Sequence, residues 1–307
     1  VKFPAEFIQN NIHYHQEKGS EWLERLPGLI RSMEQLWEIQ ILDPFELSIN
    51  FVAPAIGVDL QKYVVKFSFP DQGFKDEINA LKLFPDTHSV RLINTDENRG
   101  VMLLEHILPG YSMRSMKEEQ YCNIVAEVSA NIHLPAPKSS FLPSTRARLH
   151  SLEHIERNHP SGIGPISKAQ LQNAKLVFSY LYHSTETSYI LHGDLHHDNI
   201  IKGERDWKAI DPKGLIGEKE YDFIPFLLNE LPEEGYERVI ENRAMTLCDV
   251  LRLDYRRMLL WGYAHAVLAT SWSVSDNGYE TSFYQSIHVF QTLAEFELNS
   301  SIEKFIK

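Results

Sequence analysis

Cysteine is scarce in this chain. Among 307 residues there are only Cys122 and Cys248, far apart and in no C-x-x-C pair. Their placement excludes a disulfide framework and a cysteine-built structural zinc site, and two reduced thiols in a cytoplasmic protein are expected. Long apolar runs are missing too. No stretch approaches the ~18 apolar residues of a membrane span, and the opening Val1-Lys2-Phe3-Pro4 starts no apolar leader, so a cytosolic protein without a membrane partner is expected. Positive charge is the scarcer sign, with 30 Lys plus Arg against 42 Asp plus Glu and a net charge of −12. Such a surface repels nucleic acid and anionic membranes and suits a cationic small-molecule substrate. Internal repeats and low-complexity tracts are absent as well. With 43% hydrophobic and 23% charged residues, composition gives no case for disorder, and the length suffices for one large or two modest cores.

One stretch gathers polar side chains between apolar flanks. Tyr189-Ile190-Leu191 leads in, His192-Gly193-Asp194-Leu195-His196-His197-Asp198-Asn199 follows, and Ile200-Ile201 leads out. The pattern predicts a loop held at both ends by strands. Asp194 and Asn199 stand in the D-x-x-x-x-N relation of a phosphotransferase catalytic loop, in which the Asp receives the acceptor hydroxyl's proton and the Asn oxygen holds a metal. Further on, Gly203, Glu204 and Asp206 predict a hairpin turn, with Ala209-Ile210 returning as strand. The hairpin brings Asp211 back to the edge that carries Asn199. A carboxylate and an amide oxygen meeting there are hard ligands of the kind Mg²⁺ prefers.

The preceding half supplies candidates for the rest of that reaction. Spaced apolar residues up to about residue 45, including Trp22, Leu26, Ile30, Met33 and Trp37, predict amphipathic helices with a break at Pro27-Gly28. Leu47, Ile49 and Phe51 alternate as in a strand, Ala53-Pro54-Ala55-Ile56-Gly57 reads as a turn, and Lys62 to Phe67 reads as a second strand. Only Gly57 is present there, so the G-x-G-x-x-G phosphate loop is absent. Lys66 lies late in the second strand, and Glu77 lies early in a helix predicted from Phe74 to Phe84 and stopped by Pro85. A strand lysine followed by a helix glutamate is the ion pair that orients a phosphate-binding lysine in kinases. Val90 to Ile93 and Val101 to Leu104 predict two more strands, with a polar turn from Asn94 to Gly100. Extended backbone at Glu105 and Ile107 is where an adenine would hydrogen-bond. The lobe boundary falls here, giving residues 1–106 as a nucleotide-binding lobe and 107–307 as a catalytic and acceptor-binding lobe.

Beyond the boundary the pattern is mostly helical. Tyr121, Ile124, Val125, Val128 and Ile132 form one stripe, and Leu171, Ala174, Phe178 and Leu181 form another. Helices are also predicted from Arg146 to Asn158, from Glu237 on, and from about Ser282 to Asn299. Arg146, Arg148 and Arg157 fit a solvated helix face better than a phosphate contact. Asp222, Glu230, Glu233, Glu234 and Asp276 are carboxylates that could pair with a cationic acceptor, though each also fits an ordinary surface. Asp222 fits equally a capping carboxylate for the catalytic loop. Trp261 and Trp272 could offer ring faces to a sugar or cation, with core packing as the plainer reading. A zinc hydrolase built on His192, His196 and His197 is disfavoured because no H-E-x-x-H occurs.

With Lys66, Glu77, His192-Gly193-Asp194, Asn199 and Asp211 in this order, the chain resembles the aminoglycoside phosphotransferases of the protein-kinase-like superfold. The likeness is closest to the streptomycin 6-kinase and hydroxyurea-resistance kinase branch. Trp22-Leu23-Glu24-Arg25-Leu26-Pro27, Phe51-Val52-Ala53-Pro54-Ala55, the catalytic stretch and Ala209-Ile210-Asp211-Pro212-Lys213-Gly214-Leu215-Ile216-Gly217-Glu218 carry it. The resemblance implies an α+β, two-lobed fold with an antiparallel sheet and helices in the amino-terminal lobe and a larger, mostly helical carboxy-terminal lobe. It implies ATP and Mg²⁺ as cofactors, Asp194 as base, Asn199 and Asp211 as metal ligands, and Lys66 with Glu77 at the nucleotide phosphates. It also implies a streptomycin-like aminocyclitol as the leading acceptor, ahead of another sugar, amino alcohol or metabolite. Pro212-Lys213-Gly214 departs from the D-F-G of protein kinases, and no A-P-E segment is present, which points to a small-molecule kinase.

Overall fold

The computed structural model describes residues 3–275 and 278–294, so Asp276 and the last part of the final predicted helix lie outside the described residues. Contacts group the chain into two units. The first reaches to Gly110 and takes in Lys202–Asp206; the second holds Tyr111–Ile201 and the chain from Trp207 on.

In the first unit, α1 (Ala5–Trp37) is bent at Gln16, whose φ of 53° is not helical, and it continues through Pro27. The predicted break at Pro27-Gly28 is therefore misplaced. Leu26, Ile30 and Met33 around the proline are buried, and that packing outweighs one lost backbone bond. After the bend the chain returns so closely that a Cβ on Gly19 would lie 2.3 Å from the Asn11 carbonyl oxygen.

Five strands follow: β1 (Ile39–Ile41), β2 (Phe51–Gly57), β3 (Lys62–Phe67), β4 (Leu92–Asp96) and β5 (Val101–Glu105), with α2 (Gln72–Leu83) between β3 and β4. They form an antiparallel sheet in the order β1-β2-β3-β5-β4. The stretch read as a turn, Ala53 to Gly57, is strand, and the turn lies at Val58–Gln61 with Leu60 at φ 63°. Pro54 is tolerated because its nitrogen faces the β1 side, beyond Ile41, the last residue of β1 paired to β2. Alternate residues of β2 are buried, and Phe51, Ala53 and Ala55 join Phe7, Trp22, Leu26 and Met33 of α1 in one core. Each large side chain buried there contributes about 1.5–3 kcal/mol. The fourth strand starts later than predicted and includes Asn94, Thr95 and Asp96, whose polar side chains hide the pattern on an edge strand.

The second unit contains α3 (Glu118–Ile132), α4 (Arg146–Asn158), the small pair β6 (Gly162–Ile163) and β7 (Ile166–Ser167), and α5 (Lys168–His183). Next come β8 (Tyr189–Leu191), β9 (Ile200–Lys202, whose last residue groups with the first unit), β10 (Trp207–Ala209) and β11 (Leu215–Gly217). Helices α6 (Lys219–Asp222), α7 (Ile224–Leu228), α8 (Tyr236–Leu251), α9 (Tyr255–Ser273) and α10 (Thr281–Leu293) complete it. Helix α9 is buried over most of its surface and packs on α5 and α10; a Cβ on Gly262 would lie 2.4 Å from the Phe290 ring. Arg243, 1% exposed, is satisfied by both oxygens of Glu118 at 2.7 Å and by the carbonyls of Phe226 and Asn229, tying α8 to α3 and α7. Among the described residues no helix is long and apolar enough to cross a membrane.

Candidate active site

The catalytic stretch leaves β8 and enters β9, and β8 pairs antiparallel with β11, Leu191 opposite Leu215. Pairing alone would leave the loop free to move, but cross-links to residues 210–214 hold it. The His192 carbonyl accepts from the amides of Lys213 at 2.8 Å and Gly214 at 3.1 Å, and His192 Nε2 lies 2.8 Å from the Ile210 carbonyl. The Ile210 amide donates to the Asn199 carbonyl at 2.9 Å. Gly193 sits at φ 81°, a conformation that favours glycine. From behind, fully buried Asp222 accepts from the His192 amide at 2.9 Å, the Gly193 amide at 2.6 Å and His133 Nε2 at 2.8 Å. Burial alone would push the Asp222 carboxyl up, but His133 and the loop amide outweigh it and hold it below the usual range.

These links bring Asp194, Asn199 and Asp211 together. Asn199 Nδ2 donates to the Asp194 carbonyl at 2.8 Å, which turns the amide oxygen away from the loop. Asp211 adopts φ 58°, a left-handed conformation that aspartate tolerates better than most residues. The Lys213 ammonium lies 2.7 Å from Asp211 Oδ2 and 3.9 Å from Asp194 Oδ2, so one cation faces both carboxylates. His196 Nε2 lies 3.7 Å from Asp194 Oδ1. The Asp194 side chain keeps 34% exposure. Burial pushes its carboxyl up, His196 and then Lys213 pull it down, and the net shift is downward. An ionised carboxylate is thus held at the surface of a rigid loop.

In the first unit Lys66, 4% exposed, donates to both Glu77 oxygens at 2.7 and 2.8 Å. A buried pair of this kind gains little net stability after desolvation, so its effect is to fix the direction of the ammonium. Glu105 closes β5, its amide donating to the Arg91 carbonyl at 3.0 Å. Ile107 is buried, and among the described residues no backbone hydrogen bond engages its amide or carbonyl.

The acceptor candidates fare differently. Asp222 spends its oxygens on the loop, as the capping alternative has it, and is not exposed to an acceptor. Trp261 is fully buried and donates its indole N–H to Glu218 at 2.8 Å, so it is a core residue. Glu230 is exposed, with Oε1 2.5 Å from Arg114, which also meets Asp198. Trp272 is 47% exposed and donates to Ser151 Oγ at 3.0 Å. The three histidines weighed for zinc point to separate partners, His192 to Ile210, His196 to Asn199 and His197 to Asn229. Lys213 was missed as a site residue. Its position two residues after Asp211 is the available signal, which the sequence shows as a departure from D-F-G.

An antiparallel sheet unit carrying a buried lysine–glutamate pair, with a helical unit carrying the D-x-x-x-x-N loop, defines a phosphotransferase of the protein-kinase-like fold. The choline kinase LicA from Streptococcus pneumoniae superposes with a TM-score of 0.63 at 15% identity, covering 87% of this chain and 99% of that one. The profile of the family described as aminoglycoside/hydroxyurea antibiotic resistance kinase matches residues 57–277, and the chain belongs to that family. It is 27% identical over 290 residues to a hydroxyurea phosphotransferase of Kitasatospora aureofaciens, spanning 90% of this chain and 81% of the relative. It is 25% identical over 286 residues to a streptomycin 6-kinase of Streptomyces glaucescens, spanning 90% and 92%.

Proposed function

We propose that this chain transfers the γ-phosphoryl group of ATP to a hydroxyl of a small molecule, with Asp194 as the base. The convergence of Asp194, Asn199 and Asp211 on cross-linked loops carries this reading. Asn199 and Asp211 offer hard oxygen donors, and the place beside Asp211 already draws a cation, the Lys213 ammonium. They therefore fit Mg²⁺, which when bound would neutralise phosphate charge. Lys66, aimed by Glu77, is assigned to the nucleotide phosphates, and the backbone of Glu105 and Ile107 to the adenine.

Asp194 aligns the acceptor O–H. As the new O–P bond forms, the bond from the γ-phosphorus to its bridging oxygen breaks, the proton passes to Asp194, and ADP leaves with the electron pair. Because the Asp194 pKa is held down, its contribution is orientation and late proton acceptance. We take the acceptor from the two classes named by the relatives, a streptomycin-type aminocyclitol or hydroxyurea. Free Cys122 and Cys248 are in keeping with a cytoplasmic location.

The test is an ATP-consumption screen over streptomycin, hydroxyurea and small polyols. Acceptor-dependent ADP release should fall at least about a hundredfold in Asp194→Ala. Retained turnover in that variant would remove Asp194 from the role.

A further inference from the structure

Four side chains beside the catalytic loop are unused by the mechanism above. The segment leading into α4 is zipped to β11: the Thr145 amide donates to the Ile216 carbonyl at 2.9 Å and the Ile216 amide to the Pro143 carbonyl at 2.8 Å. Since β11 pairs with β8, whose end leads to Asp194, Arg148 stands one turn along a helix anchored next to the loop. Tyr221 is the neighbour of Asp222, the carboxylate that caps the loop, and its hydroxyl lies 2.9 Å from His265 Nδ1 on α9. The Arg148 guanidinium lies 5.3 Å from the Trp272 ring centroid, and the Trp272 ring meets the His265 ring edge-on with centroids 6.3 Å apart. Asp194 is felt electrostatically at both Tyr221 and His265.

The direction of the hydrogen bond follows from chemistry. The Tyr221 hydroxyl lies 2.9 Å from His265 Nδ1, and a phenol donates to a neutral imidazole nitrogen, so the proton runs from Tyr221 toward Nδ1. Burial and then the Arg148 charge hold His265 down to about 3, so the ring is neutral. With Nδ1 accepting, the ring proton lies on Nε2, which among the described residues has no hydrogen-bond partner. Arg148 Nε is buried and likewise has no partner among the described residues. Arg148 and His265 are only half-buried, and Trp272 beside them is 47% exposed, so the cluster is reachable from solvent. It presents unused donors on a cation and on a neutral ring.

We infer that Arg148 and His265, braced by Tyr221 and Trp272, form an acceptor subsite that receives a carbonyl or carboxylate oxygen and disfavours an ammonium or guanidinium group. This rests on the phosphotransferase reading and narrows it. A carbonyl carried next to the reacting hydroxyl, as in hydroxyurea, accepts what the subsite donates. A guanidinium beside that hydroxyl, as in streptomycin, would meet like charge at Arg148 and two donors with nothing to receive.

The experiment measures kcat and KM of the full chain with ATP and Mg²⁺ on hydroxyurea and on streptomycin. It compares the wild type with Arg148→Met, Arg148→Lys and, as a charge control on the exposed end of α4, Arg157→Met. Loss of a charge-assisted bond predicts KM for hydroxyurea raised about tenfold or more in Arg148→Met, with kcat within about threefold. Arg148→Lys should recover part of the loss and Arg157→Met none of it should show. Unfolding curves superimposable with wild type will separate a binding effect from misfolding. Equal KM in wild type and Arg148→Met, or wild-type transfer confined to streptomycin, overturns the subsite. Wild-type protein that binds ATP yet transfers to no acceptor overturns the phosphotransferase reading itself, a result distinct from hydroxyurea turnover that ignores Arg148.

Discussion

Asp222→Asn tests how the catalytic loop is held. The carboxylate is fully buried and serves the His192 amide, the Gly193 amide and His133 Nε2. Asparagine keeps one oxygen but replaces the other with an N–H₂ that points at a donor. At least one buried N–H then lacks an acceptor, at about 1–3 kcal/mol, and the charge-assisted character of the remaining bonds is lost; about 2–4 kcal/mol in all is expected. Urea unfolding at pH 7 measures it. Folding holds the Asp222 pKa below its unfolded value of 3.8, so the unfolded chain binds more protons in acid. The stabilisation is complete above about pH 5, and is lost as pH falls through the folded value. The gap between wild type and variant should therefore narrow below pH 4. Because Asp194 is two residues from His192, kcat should also fall, by about a hundredfold for a displacement of an ångström. A destabilisation under about 1 kcal/mol with unchanged kcat would refute the bracing role.

Two further outcomes follow from the charges around the loop. In Lys213→Met a cation that lowers the Asp194 pKa is gone, so the acid limb of kcat/KM should move to higher pH; an unmoved limb would show that Lys213 does not set it. Burial, and then Arg243, hold fully buried His197 down to about 3, so the unfolded chain takes up a proton below pH 6.5 that the folded chain refuses. Stability should drop by about 2 kcal/mol between pH 7 and pH 5 from this group, and His197→Gln should flatten that part of the profile.

Much of the candidate site was legible because it lies in short, ordered spacings. The order of Lys66, Glu77, Asp194, Asn199 and Asp211 could be read directly, and the helix from Arg146 to Asn158 has the predicted ends. What escaped depends on long-range packing. Pro27 reads as a breaker, yet the face around it is buried and α1 continues through it, and the bend falls at Gln16, a residue with no turn signature, close before the tight approach of Gly19 to Asn11. For Trp261 core packing is the plainer reading of the sequence and the structure agrees, although nothing local announces that Glu218 will meet its indole. Arg148 looked like one of several solvated arginines. Only the zipper between Thr145 and Ile216 brings it beside the loop, and pairing across so many residues leaves no local mark.

The most direct test of the central claim is to follow the acceptor itself. Incubated with ATP and Mg²⁺, the wild-type protein should convert hydroxyurea or a streptomycin-type aminocyclitol into a monophosphorylated product, detected by mass spectrometry with one ADP released per phosphoryl group, and Asp194→Asn should form almost none. Phosphorylated product formed at equal rates by both proteins would contradict the account.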